Sequence, residues 1–123
     1  MNREDAQSWA ERWVADWNAR DLDAVLAHFE DDVAFTSPRA LAVVGVATVR
    51  GKPALRDYWE RALASIGSLR FTLQRICWDP VTSELSIFYD RDVGGLRSRA
   101  AEVLQFGSSG RVARAEVYHG LLP

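Results

Sequence analysis

The stretch Trp17-Asn18-Ala19-Arg20-Asp21-Leu22-Asp23-Ala24-Val25-Leu26-Ala27-His28-Phe29, followed by Asp31-Asp32-Val33-Ala34-Phe35-Thr36-Ser37-Pro38, holds two changes of structural period. Up to Trp17 the period is helical: Trp9, Trp13 and Trp17 recur every four residues with Ala6, Ala10 and Val14 beside them, so one helix face carries a tryptophan stripe. Asn2, followed by Asp5, is the expected N-cap, with the acid favourably placed at the positive end of the helix dipole. The run Asn18 to Asp21 interrupts the stripe. Asp21 then caps a second short helix in which Leu22, Val25, Leu26 and Phe29 follow i, i+3, i+4, i+7. From Val33 to Ser37 the period falls to two and stops at Pro38, which predicts a short strand.

Working outward, Arg39 to Arg50 is rich in Ala, Val and Gly without clear periodicity and reads as an apolar loop or short hairpin, in a position to act as a lid. Pro53 suits the first turn of a third helix whose apolar face is Leu55, Tyr58, Trp59, Ala62, Leu63 and Ile66, ending at Gly67. Four strands follow: Leu69 to Trp78, Glu84 to Val93, Arg97 to Phe106 and Val112 to Tyr118. The turns between them are too short for anything but antiparallel neighbours. Helices first and a meander of strands afterwards predict an α+β fold, with three N-terminal helices packed on the concave face of a curved, mainly antiparallel sheet.

Composition narrows the function classes. At 123 residues, 48% hydrophobic and 26% charged, the chain is expected to form one domain over 1–123, and neither a disordered segment nor a disulfide scaffold. A net charge of −2 gives no electrostatic footprint for nucleic acid or an anionic membrane, so neither is an expected partner. Of fifteen cations, fourteen are Arg. Guanidinium forks suit bidentate anion recognition, but these are scattered among acids and form no block. Cys77 is the only cysteine, which excludes an internal disulfide and fits a reducing cytoplasm. Between Ile76 and Trp78 it reads as a small buried hydrophobe. The N-terminal segment lacks the apolar core of a signal peptide, and the low-charge run Ala40 to Val49 is about half the length of a spanning helix, so a soluble, cytoplasmic protein is expected.

The order of elements, the segment from Trp17 to Pro38, Gly51-Lys52-Pro53-Ala54-Leu55-Arg56-Asp57-Tyr58-Trp59, and Glu102-Val103-Leu104-Gln105-Phe106 with Gly110-Arg111-Val112 together resemble the NTF2-like superfamily and its SnoaL-like branch. The resemblance spans essentially the whole chain. It implies a cone in which a curved sheet and helices enclose a largely apolar pocket, assembled as a homodimer through the outer face of the sheet. Members include ketosteroid isomerase, polyketide cyclases, limonene epoxide hydrolase, dehydratases and pure binding proteins. The resemblance therefore locates the pocket and leaves the reaction open.

Isomerase chemistry needs a carboxylate base beside the strand-end proline, with a tyrosine and a protonated carboxylic acid to stabilise the enolate. By the resemblance, Ser37 stands at the base position, Trp13 at that of the tyrosine donor, and Trp59 and Phe29 at those of supporting tyrosines. Only Glu102 keeps a carboxylic-acid position. A serine hydroxyl does not deprotonate a carbon acid at neutral pH, so the usual isomerase mechanism is excluded.

Period two puts Glu102 on one strand face with Ala100, Leu104 and Phe106, where desolvation would raise its pKa. It is either a functional acid or is neutralised by Arg99, Arg114 or an indole N–H. His119 shares the inward face of the last strand with Ala115 and Val117. It is either a general base oriented by Glu102 or an ordinary strand-end histidine. Helical phase leaves His28 at the surface, Asp31 and Asp32 read as solvated charges, and Asp90-Arg91-Asp92 as an exposed strand end. The two His, one Cys and dispersed acids lack any metal-ligand spacing, so no metal or other cofactor is expected. Trp13, Trp17, Phe29, Phe35, Trp59 and Phe88 would wall a pocket for a planar or polycyclic apolar ligand, or simply fill the core. Two functions follow. One is a small-molecule site, and as an enzyme a cofactor-independent one, using Glu102 and His119 for proton transfer with Ser37 orienting a ligand oxygen. The other is a non-catalytic binding or interaction module.

Overall fold

Asn2 accepts from the Asp5 N–H at 2.8 Å while the Asp5 carboxylate accepts from the Asn2 N–H at 3.0 Å, a reciprocal cap that starts α1 (Arg3–Asn18). Asp21 accepts from the Ala24 N–H and starts α2 (Leu22–Ala27). The computed structural model describes residues 1–123, and continues with β1 (Phe29–Thr36), α3 (Pro38–Val44), β2 (Thr48–Arg50), α4 (Lys52–Ala64), β3 (Leu69–Asp79), β4 (Glu84–Val93), β5 (Leu96–Phe106) and β6 (Val112–Gly120). The six strands form one sheet in the order β2-β1-β6-β5-β4-β3, antiparallel throughout except for the parallel pair β1 and β6. Register shifts between Leu73 and Arg75 and between Gln105 and Phe106 are irregularities of the kind that bend strands, and the helices occupy the concave side. No helix is long and apolar enough to cross a membrane.

The tryptophan stripe of α1 faces the sheet. Trp9, Trp13 and Trp17 are all buried in one apolar cluster with Phe29, Phe35, Leu55, Trp59, Ile87 and Leu104. Asn18, where α1 stops, ties that helix to the sheet edge: its Nδ2 donates to the Phe71 carbonyl at 2.9 Å and its Oδ1 accepts from the Phe71 N–H at 2.7 Å. One side chain thus satisfies both backbone groups that β3 presents away from β4 at this residue. Asn18→Ala should cost about 2 kcal/mol, because two hydrogen bonds go and part-buried backbone groups lose partners. Urea unfolding measures it, and a midpoint unchanged from wild type would show that water replaces the amide freely.

Four expectations are corrected. Residues 38–44 form a helix and residues 48–50 a strand, where an apolar loop or hairpin was expected. Ser37 caps α3 by accepting from the Arg39 N–H at 3.2 Å, Pro38 fits the first turn, and Gly45 at φ 82° closes it. Seven residues are too few to display a period. Phe29 begins β1 instead of closing α2, since the helix stops at Ala27. Cys77 is exposed on β3, because Ile76 takes the inward position. His28 is half-buried: its Nε2 lies 2.9 Å from an Asp16 carboxylate oxygen and its ring 5.0 Å from that of Trp9.

Candidate functional site

On β4 the inward positions are Leu85, Ile87, Tyr89, Arg91 and Val93, and on β5 they are Ala100, Glu102, Leu104 and Phe106. Between these strands, the end of β1, α3, α4 and the C-terminal part of α1 lies a cavity of about 80 Å³ that opens to solvent. Such a volume holds a few waters or a small ligand, well under the roughly 300 Å³ where drug-sized pockets begin. Its wall is mainly apolar and includes Trp17, Phe35, Trp59, Leu63, Ile66 and Phe71. Its polar groups are Ser37, Arg39, Tyr58, Tyr89, Arg91, Glu102 and His119.

Glu102 is the chemically distinctive group. It is 4% exposed, and desolvation pushes its carboxyl up to about 8, against smaller lowering effects from its hydrogen-bonding neighbour Tyr89 and from Arg91. At neutral pH it is therefore a carboxylic acid with a proton to donate. Neither Arg99 nor Arg114 neutralises it: Arg99 Nε lies 2.7 Å from Asp90, and Glu102 belongs to no ion pair. Burial also raises the Tyr89 phenol well above its ordinary value and that of Tyr58 less, so both are neutral donors. Ser37, 3% exposed, is the hydrogen-bonding neighbour of Tyr58.

His119 lines the same cavity at an exposed position. It pairs across the ladder with Ala100 while Glu102 pairs with Val117, which sets the two side chains diagonally on one face. No side-chain hydrogen bond joins them. Partial burial of its ring against the cavity wall, then the positive charges of Arg91 and Arg39, lowers the His119 pKa and keeps the imidazole neutral at pH 7.

Among the expected wall residues, Trp17, Phe35, Ser37 and Trp59 line the cavity. Trp59 packs edge to face against Trp17 at 4.9 Å and Phe35 at 5.3 Å. Trp13 and Phe29 do not line it; both are fully buried behind the wall, Trp13 at 5.3 Å from Tyr89 and Phe29 at 5.5 Å from Trp59. Phe88 is a correction of face. With Ile87 and Tyr89 inward, its ring stands on the outer side of the sheet, 3.8 Å from the Arg75 guanidinium. Tyr58, Tyr89, Phe71, Arg39 and Arg91 are lining residues that the sequence did not single out as pocket groups. The signal for Tyr89 and Arg91 was present: both keep the period-two phase of Leu85 and Ile87, and Asp90, pointing outward, accepts from Arg99. Arg39 had no such signal, because α3 itself was not predicted.

A concave mixed sheet, helices filling its hollow and an aromatic-walled cavity between them define the NTF2-like class of small α+β cones. The chain belongs within it to the SnoaL-like family, whose domain matches residues 10–115. No protein of curated function matches the sequence. Among solved structures, a SnoaL-like protein of unknown function from Burkholderia thailandensis E264 shares 31% identity over 98% of each chain, with a TM-score of 0.85. TerC, co-crystallized with polyporic acid, shares 16% identity, with 93% of this chain and 91% of that one covered, at a TM-score of 0.77. SalBIII, an epoxide hydrolase/cyclase-like enzyme of pyran ring formation in the polyether salinomycin, shares 13% over 98% of each chain at a TM-score of 0.75. At those identities the last two relate to this chain in fold.

Proposed function

We propose that the chain binds a small aromatic or otherwise planar apolar molecule in this cavity and acts on it by proton transfer without a cofactor. The observation that carries the proposal is the neutral Glu102 carboxyl facing an aromatic cavity, with no cation paired to it. An acid kept protonated at pH 7 donates a strong hydrogen bond to a ligand oxygen where negative charge develops, as an enolate or opened ring oxygen forms. Neutral His119, at the mouth, has the free lone pair needed to accept a proton. The Ser37 and Tyr58 hydroxyls, which line the same cavity, orient the ligand's oxygen. TerC and SalBIII, ligand-handling proteins of the same fold by their descriptions, make small-molecule chemistry a consistent assignment. Pairing of two copies through the outer face of the sheet, where Tyr118 is 53% exposed, belongs to the same proposal.

The small cavity volume and the edge-to-face contacts of Trp59 favour one competing function, a module whose hollow is filled by its own aromatics. Tryptophan fluorescence separates the two. Titration with a panel of one- to three-ring phenols, quinones and lactones should change the emission of Trp17 and Trp59 for at least one class. A flat response across the panel would establish the filled module. For any conversion found, Glu102→Gln and His119→Ala are expected to lower kcat by about 10²-fold or more each, within the usual range for acid–base groups. Full turnover in both variants would remove them from the mechanism.

A further inference from the structure

The cavity carries two guanidinium groups and no anion to match them. Arg39 on α3 and Arg91 on β4 both line it, both are half-buried, and neither side chain takes part in any hydrogen bond or ion pair of the chain. The other two half-buried arginines offer a contrast: Arg56 and Arg99 each hold a carboxylate, at 2.6 and 2.7 Å. The one acid within the cavity does not offset the two cations, since Glu102 is protonated at neutral pH, and His119 adds no anion either. Two charges held partly out of water in one hollow, and unpaired, are costly to maintain. Such an arrangement is sustained when a partner arrives from outside, and the planar guanidinium fork fits a carboxylate or a delocalised oxyanion in two-point contact.

We infer that the ligand of this cavity is an acidic aromatic molecule, its ring against Trp17, Phe35 and Trp59 and its carboxylate or enolate oxygens on Arg39 and Arg91. This rests on the small-molecule function proposed above and adds the charge of the ligand to it. The placement divides the labour within the site. The arginines take the permanent negative charge, which leaves the Glu102 proton available for a second oxygen that becomes negative only during reaction. Burial, and to a smaller extent the positive charge of Arg39, lower the Arg91 pKa, and the charge of an arriving anion offsets both.

Matched pairs of acid and neutral amide test this: benzoate against benzamide, and 2-naphthoate against 2-naphthamide, titrated calorimetrically into the wild-type protein at pH 7. The acid of at least one pair should bind 10-fold or more tightly than its amide, with an advantage that shrinks severalfold between 50 and 500 mM NaCl. Arg91→Met and Arg39→Met keep most of the apolar stem and remove the charge. Each should erase most of the preference for the acid while leaving amide binding within about twofold, and Arg91→Lys should recover only part of it. Equal affinity for acid and amide, or a preference that survives both Met variants, overturns the assigned charge and leaves the apolar pocket standing. Binding of neither member of either pair overturns the small-molecule function together with this inference.

Discussion

Glu102→Gln is expected to make the protein more stable at pH 8 while removing its capacity for proton transfer. The wild-type carboxyl sits at about 8 in the folded chain, far above its unfolded value of 4.5, because burial disfavours the anion. Below the unfolded value both states hold the proton and the group makes no difference to folding. Between the two values the unfolded chain releases the proton and the folded chain retains it, so folding becomes less favourable as pH rises, and the loss is complete above the folded value. At 1.36 kcal/mol per pH unit this amounts to up to about 4 kcal/mol by pH 8, a large share of the 5–15 kcal/mol that holds a typical domain together. Glutamine matches the shape of the neutral acid and has nothing to titrate. Thermal melts from pH 4.5 to 9 should therefore converge at the acid end and diverge towards the alkaline end, with the variant melting on the order of 10 °C higher at pH 8. Parallel profiles would mean that water or Arg91 compensates the ionised carboxylate in the folded state. A residue that weakens its own fold at working pH is the pattern expected where activity, not stability, sets the side chain.

Glu102 also shows which parts of the structure could be read in the sequence. Strand alternation alone placed it inward among Ala100, Leu104 and Phe106, and that face is the buried one. The four C-terminal strands were legible for the same reason, as were α1 and α4, where long runs of period two or 3.6 outweigh any local ambiguity. Two kinds of information were not legible. Short elements carry no period: α3 depends on a Ser-Pro start and a single left-handed Gly45. Hydrophobicity also misleads at individual positions. Phe88 was expected in the wall as one of the aromatic residues, yet phase decides the face, and the outer Phe88 is covered by Arg75. Charge hid Arg91 in the same way: it is inward by phase and reads as surface. Pocket polar groups are the residues for which phase and hydrophobicity disagree, so a sequence pattern loses them first.

The largest loss of stability is expected from Trp13→Ala. Trp13 is fully buried, with its ring stacked 5.9 Å from Phe71 and edge-on at 5.3 Å to Tyr89, so it lies directly behind two residues of the cavity wall. Truncation to alanine removes most of the side-chain burial and opens a void that a sheet and helix fixed at both ends cannot close, at a cost of about 3–5 kcal/mol. The indole N–H has no hydrogen-bond partner, so no polar contact is lost with it and the whole penalty is one of packing. For that reason Trp13→Phe should recover much of the loss, the smaller ring being partly compensated by removal of the unsatisfied donor. Phe88→Ala supplies the contrast, since its ring lies on the outer face and stacks only with a solvent-bathed guanidinium, and about 1 kcal/mol is expected there. Urea unfolding with a common m-value should rank the three variants in the order Trp13→Ala, Trp13→Phe, Phe88→Ala from most to least destabilised. Should Phe88→Ala equal or exceed Trp13→Ala, the inward and outward faces of β4 would have to be exchanged, and with them the positions of Tyr89 and Arg91 in the cavity.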